Sequence, residues 1–373
     1  MINRLLEENL TQRLFKGKSI IVVGPRQVGK TTFLKSLIKG QEKVLWFNAD
    51  NQDVQELFNQ PNSLAFKKEF GKAKIVIIDE AQRIKNIGVK LKLITDELPE
   101  IQLIVTGSSA FEPSNEVNEA LTGRKWEYNM YPLSFQEMVN HHGLLNEKRL
   151  LNHRLIYGYY PDVVTANGDE RETLRQLSDS YLYKDLFIWN KINKSEKLVK
   201  LLQALAFQVG NQVSYNELGK TVGLDNETIE SYLLMLEQSF VIFRLGSFNR
   251  NLRTELKKSR KIYFYDNGIR NALIANFQPI NLRSDTRALW ENFLVSERMK
   301  YNDYRRHWYN CYFWRTTAQQ EVDYLEESDG QLRAFEFKWN TKKNNRITKT
   351  FTNAYPDAIT AIITPDNYVD FVS

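Results

Sequence analysis

Gly24-Pro25-Arg26-Gln27-Val28-Gly29-Lys30-Thr31-Thr32 decides the fold class of the first third of this 373-residue chain. The stretch fits the spacing Gly-x4-Gly-Lys-Thr. Before it stands Ser19-Ile20-Ile21-Val22-Val23, an apolar, β-branched run that predicts a buried strand. After it, Thr32-Phe33-Leu34-Lys35-Ser36-Leu37-Ile38 has helical spacing and stops at Gly40. Strand, glycine loop and helix, in that order, are the context that makes the motif a phosphate-binding loop. Its glycines let the backbone wrap a phosphate, and the helix start offers free N–H groups and a positive dipole end. Residues 24–32 are therefore candidate nucleotide contacts. Lys30 is expected to neutralise the β- and γ-phosphates and Thr31 to hold Mg²⁺ through its hydroxyl.

A second apolar run, Ala73 to Ile78, ends in Asp79-Glu80. An acid at the carboxyl end of such a strand lies at the crevice where open α/β sheets bind ligands. Asp79 is expected in the Mg²⁺ shell, and Glu80 is expected to orient or deprotonate the attacking water. An Asp-Glu pair can also simply cap the next helix. One strand end away from a phosphate loop it points to catalysis instead, and to hydrolysis rather than nucleotide holding. The next predicted strand, Ile101 to Val105, runs into Thr106-Gly107-Ser108-Ser109. Hydroxyls there, Ser108 among them, either sense the γ-phosphate or belong to a plain turn. Arg124 precedes the aromatic strand Trp126 to Tyr131. It is either a finger on the γ-phosphate of a neighbouring subunit, which requires a homo-oligomer, or a solvated surface residue.

Length suggests two to three domains, and 42% hydrophobic content suffices for packed cores. No apolar run is long enough to span a bilayer, and Met1 to Leu14 is charged and amphipathic rather than signal-like. A single cysteine, Cys311, rules out an internal disulfide framework and fits a reducing cytoplasm. Four scattered histidines offer no zinc site. The net charge of +6 permits nucleic-acid contact without requiring it.

Gln136 to about Lys194 reads as mostly helical, with a bend at Gly158-Tyr159-Tyr160-Pro161. From Glu196 the pattern becomes helix, turn, helix and wing. Ser214-x-x-Glu217 is a capping box, the helix it opens stops at Gly223, and Asp225 caps a second helix, Asn226 to Gln238. That helix carries Glu227, Glu230 and Glu237 and no Lys or Arg, which argues against insertion into a DNA groove. Basic residues follow the wing: Arg250, Arg253, Lys257, Lys258, Arg260 and Lys261. They are either a solvated face or contacts to DNA phosphates.

The C-terminal third holds a second constellation. Glu321-Val322-Asp323-Tyr324-Leu325 reads as a strand, Gly330 as a turn, and Arg333-Ala334-Phe335-Glu336-Phe337-Lys338-Trp339 as the next strand. Pairing them as a hairpin brings Asp323, Glu336 and Lys338 together. Two carboxylates can chelate Mg²⁺ and activate water, with Lys338 positioning the nucleophile or neutralising charge. Alternating charges on a half-exposed strand fit the same pattern without chemistry.

Taken with Ile75 to Ile84, Thr106 to Ser109, Leu121 to Arg124, Tyr131 to Glu137, Gly158 to Val163 and Lys261 to Leu273, these motifs make the chain resemble bacterial and archaeal AAA-type ATPases with an uncharacterised C-terminal domain of the PD-(D/E)XK nuclease clan. The resemblance spans essentially the whole chain. It implies an α/β fold with a parallel-sheet P-loop core at 1–135, a helical lid at 136–195, a winged helix at 196–260 and a restriction-endonuclease-like α/β domain at 261–373. It also implies ATP rather than GTP, and Glu291 as a further metal ligand beside Asp323 and Glu336. Three functions stand open. ATP turnover controls Mg²⁺-dependent DNA cleavage, or the chain is an ATP-dependent switch whose silent C-terminal domain docks DNA or a protein partner, or it is a signalling ATPase with the winged helix as an internal spacer.

Overall fold

The structure is a computed structural model and describes residues 2–59, 62–108, 119–179, 195–249, 260–340 and 346–373. The chain divides into two compact units. The first comprises Met1–Pro132 with Gln238–Phe240, the second Leu133–Glu237 with Val241–Ser373.

The first unit is built on a five-stranded parallel sheet. Its strands are β1 (Ser19–Val23), β2 (Val44–Asn48), β3 (Ile75–Asp79), β4 (Gln102–Gly107) and β5 (Lys125–Asn129), in the spatial order β2-β3-β4-β1-β5. The three inner strands are buried along their whole length, which is why they read as unbroken apolar runs. The edge strands β2 and β5 are only partly covered and carry mixed residues. Because β4 lies between β1 and β3, its carboxyl end stands between the phosphate loop and Asp79. The predicted strand at Ser19–Val23 has those bounds, and the helix after the loop runs Lys30–Leu37, with Gly40 at φ +85° beyond it.

The second unit begins with short helices. Phe135–His142 starts in a full capping box, in which Ser134 and Glu137 each accept from the other's backbone N–H. At the bend, Gly158 has φ +72°, and a Cβ there would lie 2.2 Å from Asp266 Oδ1, so only glycine fits.

Helices Ser195–Phe207, Tyr215–Val222 and Asn226–Gln238 follow, with strands β6 (Gln212–Val213), β7 (Ile242–Ser247) and β8 (Arg260–Phe264). Leu201, Leu205, Leu218, Leu233, Leu236, Ile242 and Phe264 form their common core. Ser214 accepts from Glu217 N–H at 3.4 Å, Gly223 ends its helix in the left-handed region, and Asp225 Oδ1 accepts from Thr228 N–H at 2.8 Å.

The long helix Thr286–Tyr304 leads into β9 (Asn310–Arg315), β10 (Glu321–Ser328) and β11 (Gln331–Phe337), then helix Lys349–Ala354 and β12 (Ile359–Ile363). Asp329 and Gly330, at φ +51° and +77°, make the two-residue turn between β10 and β11. The sheet of this unit has seven strands in the order β12-β11-β10-β9-β7-β8-β6. It runs unbroken from β6, β8 and β7 into the C-terminal strands through the parallel pair β7–β9. The boundary expected at 260/261 thus falls inside β8 rather than in a linker.

Candidate functional site

Two left-handed residues shape the phosphate loop, Gln27 at φ +59° and Gly29 at φ +88°. Such alternation turns successive N–H groups toward one point and makes an anion-binding concavity. Gly24 is required for a different reason: a Cβ on it would lie 2.1 Å from the Met130 carbonyl oxygen. That crowding follows from β5 running beside β1, with Met130 N–H donating to Val23 O at 2.8 Å. Lys30 is buried, and its ammonium donates to the carbonyls of Gly24 and Pro25, both at 2.8 Å. Arg4 grips the loop from the other side. Its guanidinium donates to Val28 O at 2.8 Å and to Tyr131 O at 2.6 Å. Nothing in the charged start of the sequence singles Arg4 out, because an isolated Arg has no periodic signature.

Asp79 ends β3 buried, and both its oxygens are taken by hydroxyls. Thr31 Oγ1 donates to Oδ2 at 2.8 Å, and Thr106 donates to Oδ1. Thr106 Oγ1 also accepts from Glu80 N–H at 3.1 Å. The Thr106 hydroxyl, in the stretch read as either a phosphate sensor or a plain turn, contacts both Asp79 and the Glu80 backbone. Glu80 sits at φ +57°, a left-handed conformation rare for a residue with a side chain and concentrated at functional sites. Gln82 Nε2 donates to Glu80 Oε2 at 2.5 Å, while Gln82 Oε1 accepts from Ser108 N–H at 3.2 Å. Nothing in the sequence marks Gln82, whose place depends on β4 bringing Ser108 beside it. The Ser108 hydroxyl is buried and has no hydrogen-bond partner among the described residues. Arg124 is half exposed and donates to Asp96 Oδ1 at 2.6 Å.

This donor set fits a magnesium–nucleotide complex. Thr31 and Asp79 could offer hard oxygen ligands at the mouth of the loop, Lys30 a countercharge, and Ser108 a hydroxyl without a hydrogen-bond partner among the described residues.

The C-terminal constellation departs from its expectation. Asp323 lies at an irregularity in the β9–β10 pairing, between Val322 and Leu325, where a strand re-aims its side chains. It is buried, and its Oδ2 accepts from Phe337 N–H at 2.8 Å. Lys338 donates to Glu336 Oε1 at 2.5 Å, and the buried Glu336 Oε2 has no partner among the described residues. Glu291, from the long helix, is spent elsewhere. Its Oε1 accepts from Lys261 Nζ and from the Tyr263 hydroxyl, both at 2.8 Å. Lys261 also pairs with Glu321 Oε1 at 2.5 Å.

Two sequence expectations are corrected here. Lys261 is not an exposed phosphate contact; it is 1% exposed. Glu291, Asp323 and Glu336 do not assemble as a metal shell, since the described residues contain no group of three or more His, Cys, Asp or Glu set to hold a metal ion. Of the remaining basic stretch, Arg260 is half-buried, while Arg250, Arg253, Lys257 and Lys258 lie outside the described residues.

Burial, then the charges of Glu291 and Glu336, push Asp323 up to about 8. Lys261 moves upward too: burial lowers it, but Glu291, Asp323 and Glu321 outweigh that cost. Burial and the neighbouring negative charges thus favour the neutral form of Asp323.

Residues 16–139 match the family model of an AAA domain. Residues 148–280 and 287–369 match two domains of unknown function, DUF8612 and DUF4143. An uncharacterized protein of Haemophilus influenzae is 28% identical over 305 residues, covering 74% of this chain and 74% of its own length. An uncharacterized protein of Mycobacterium tuberculosis is 24% identical over 368 residues, covering 96% of this chain and 79% of that one. The Walker-type ATPase of Pyrococcus abyssi shares the fold at a TM-score of 0.50 and 16% identity, covering 74% of this chain and 96% of that one. No helix among the described residues is long and apolar enough to cross a membrane. Motif, strand order and family model agree that the first unit is an AAA-type P-loop ATPase domain.

Proposed function

We propose that this protein hydrolyses ATP at the loop of its first unit and uses the nucleotide cycle as a switch for the second. The observation that carries the reading is the double grip on Asp79 by Thr31 and Thr106, which aligns the metal-binding oxygens with Glu80 one residue further on. Bound Mg²⁺ would neutralise the β- and γ-phosphate oxygens. Thr31 and Asp79 would hold it, and Lys30 would add its charge to the same oxygens. Glu80, steadied by Gln82, would orient the attacking water and accept its proton. Arg124 would have to leave Asp96 to serve a neighbouring subunit as a finger, which makes its role conditional on assembly.

The second unit, on this reading, is an output module with a winged-helix segment and a nuclease-like sheet, and it docks nucleic acid or a protein partner without cutting. The Lys261 pairing supports docking over cleavage. The test is ATP turnover by the parent, Lys30→Ala and Glu80→Gln, beside plasmid cleavage in Mg²⁺. Turnover in the parent alone, with intact plasmid, is expected. An unchanged rate in Lys30→Ala would sink the first half, and cleavage lost on Asp323→Ala would sink the second.

A further inference from the structure

Acids from three elements of the second unit crowd together around a buried lysine. Glu291 comes from the long helix, Glu321 and Asp323 from β10, Glu336 from β11 and Lys261 from β8. Burying several carboxylates together is costly unless a cation with hydrogen-bonding capacity compensates them. Lys261 Nζ supplies that at 2.8 Å to Glu291 and 2.5 Å to Glu321, and its side chain is almost wholly enclosed. Tyr263, two residues along the same strand, donates to the same Glu291 oxygen. Among the described ion pairs Asp323 meets a cation only at Arg287, 3.9 Å away and mostly exposed.

We infer that Lys261 is the resident cation of this cluster and occupies the position a divalent metal would take, so that the site is closed to Mg²⁺ and Mn²⁺. An ammonium held by two carboxylates and a metal ligated by the same oxygens exclude one another. The lysine also does mechanical work that a metal does elsewhere: it ties β8 of the winged segment to the helix and to β10 of the C-terminal sheet. The inference is independent of ATP hydrolysis, since it concerns the second unit alone.

The experiment is a Mn²⁺ titration of the full chain without nucleotide, read by calorimetry and by the thermal midpoint. It compares the parent, Asp323→Asn, Lys261→Met and the double variant Lys261→Met/Asp323→Asn. We expect no Asp323-dependent binding in the parent. Lys261→Met should acquire one Mn²⁺ site and a midpoint that rises by a few degrees with the metal, and the double variant should lose both. Should Lys261→Met fail to fold alone, rescue by Mn²⁺ is the supporting result. Failure of Mn²⁺ to rescue either it or the charge-balanced Lys261→Met/Glu291→Gln overturns the inference. It is equally overturned if the parent binds Mn²⁺ in an Asp323-dependent way, or if a folded Lys261→Met binds none.

Discussion

Thr31 and Asp79 are joined at 2.8 Å between hydroxyl and carboxylate, which ties the first turn after the phosphate loop to the end of β3. Thr106 completes the arrangement from β4, the strand that separates the two. The placement of Asp79 and Glu80 is thus set by strand order rather than by local sequence. Asp79→Asn keeps one hydrogen-bond acceptor but removes the charge that would hold the metal. ATP turnover should fall on the order of 10²-fold or more, with folding retained. A turnover rate within about threefold of the parent, at an unchanged Mg²⁺ requirement, would remove Asp79 from the metal shell.

Gln82 supports Glu80 through a single short bond and is itself held by the Ser108 N–H. A hydrogen bond to a charged group contributes about 1.5–3 kcal/mol. If Glu80 is the base, Gln82→Ala should therefore lower kcat roughly 10- to 100-fold while leaving KM near the parent value, because the bonds of Gln82 go to Glu80 and the Ser108 N–H. A rise in KM alone would place Gln82 in nucleotide binding instead.

Arg4 donates to the loop carbonyl of Val28 and to Tyr131 O, so its removal leaves two buried acceptors without their donor. Arg4→Ala should destabilise the first unit by about 1–3 kcal/mol and weaken nucleotide affinity. Thermal unfolding with and without ATP measures both. Equal midpoints for parent and variant would show that the N-terminal segment is dispensable to the loop.

The inner strands and the phosphate loop were legible because a strand buried on both faces must be continuously apolar and a loop around phosphate must contain glycine. The same logic placed Gly223, Asp225 and Gly330, each of which answers to local backbone geometry. What stayed hidden depends on residues far apart in sequence. Lys261 reads as the end of a basic run, and only the packing of β8 against the long helix turns it inward toward Glu291. Thr106 reads as part of either a phosphate sensor or a plain turn, and only the position of β4 between β1 and β3 turns it toward Asp79. The reciprocal capping box expected at Ser214 is fully formed instead at Ser134, where Glu137 is buried and held against the backbone.

Asp323 gives the acid cluster a pH signature. Its folded-state pKa is pushed from 3.8 up to about 8, by burial first and then by Glu291 and Glu336. Below pH 4 the group is protonated in both the folded and unfolded chains, and its neutral form is the one the folded site prefers. As pH rises past 4 the unfolded chain gives up this proton while the folded chain keeps it, so stability declines until the folded group also ionises near pH 8. The decline is at most about 1.4 kcal/mol per pH unit. Asp323→Asn cannot titrate, so the stability of the parent minus that of the variant should fall between about pH 4 and 8 and level off above. Denaturant midpoints taken across that range supply the comparison. A difference that stays flat would mean that the folded chain does not hold Asp323 neutral.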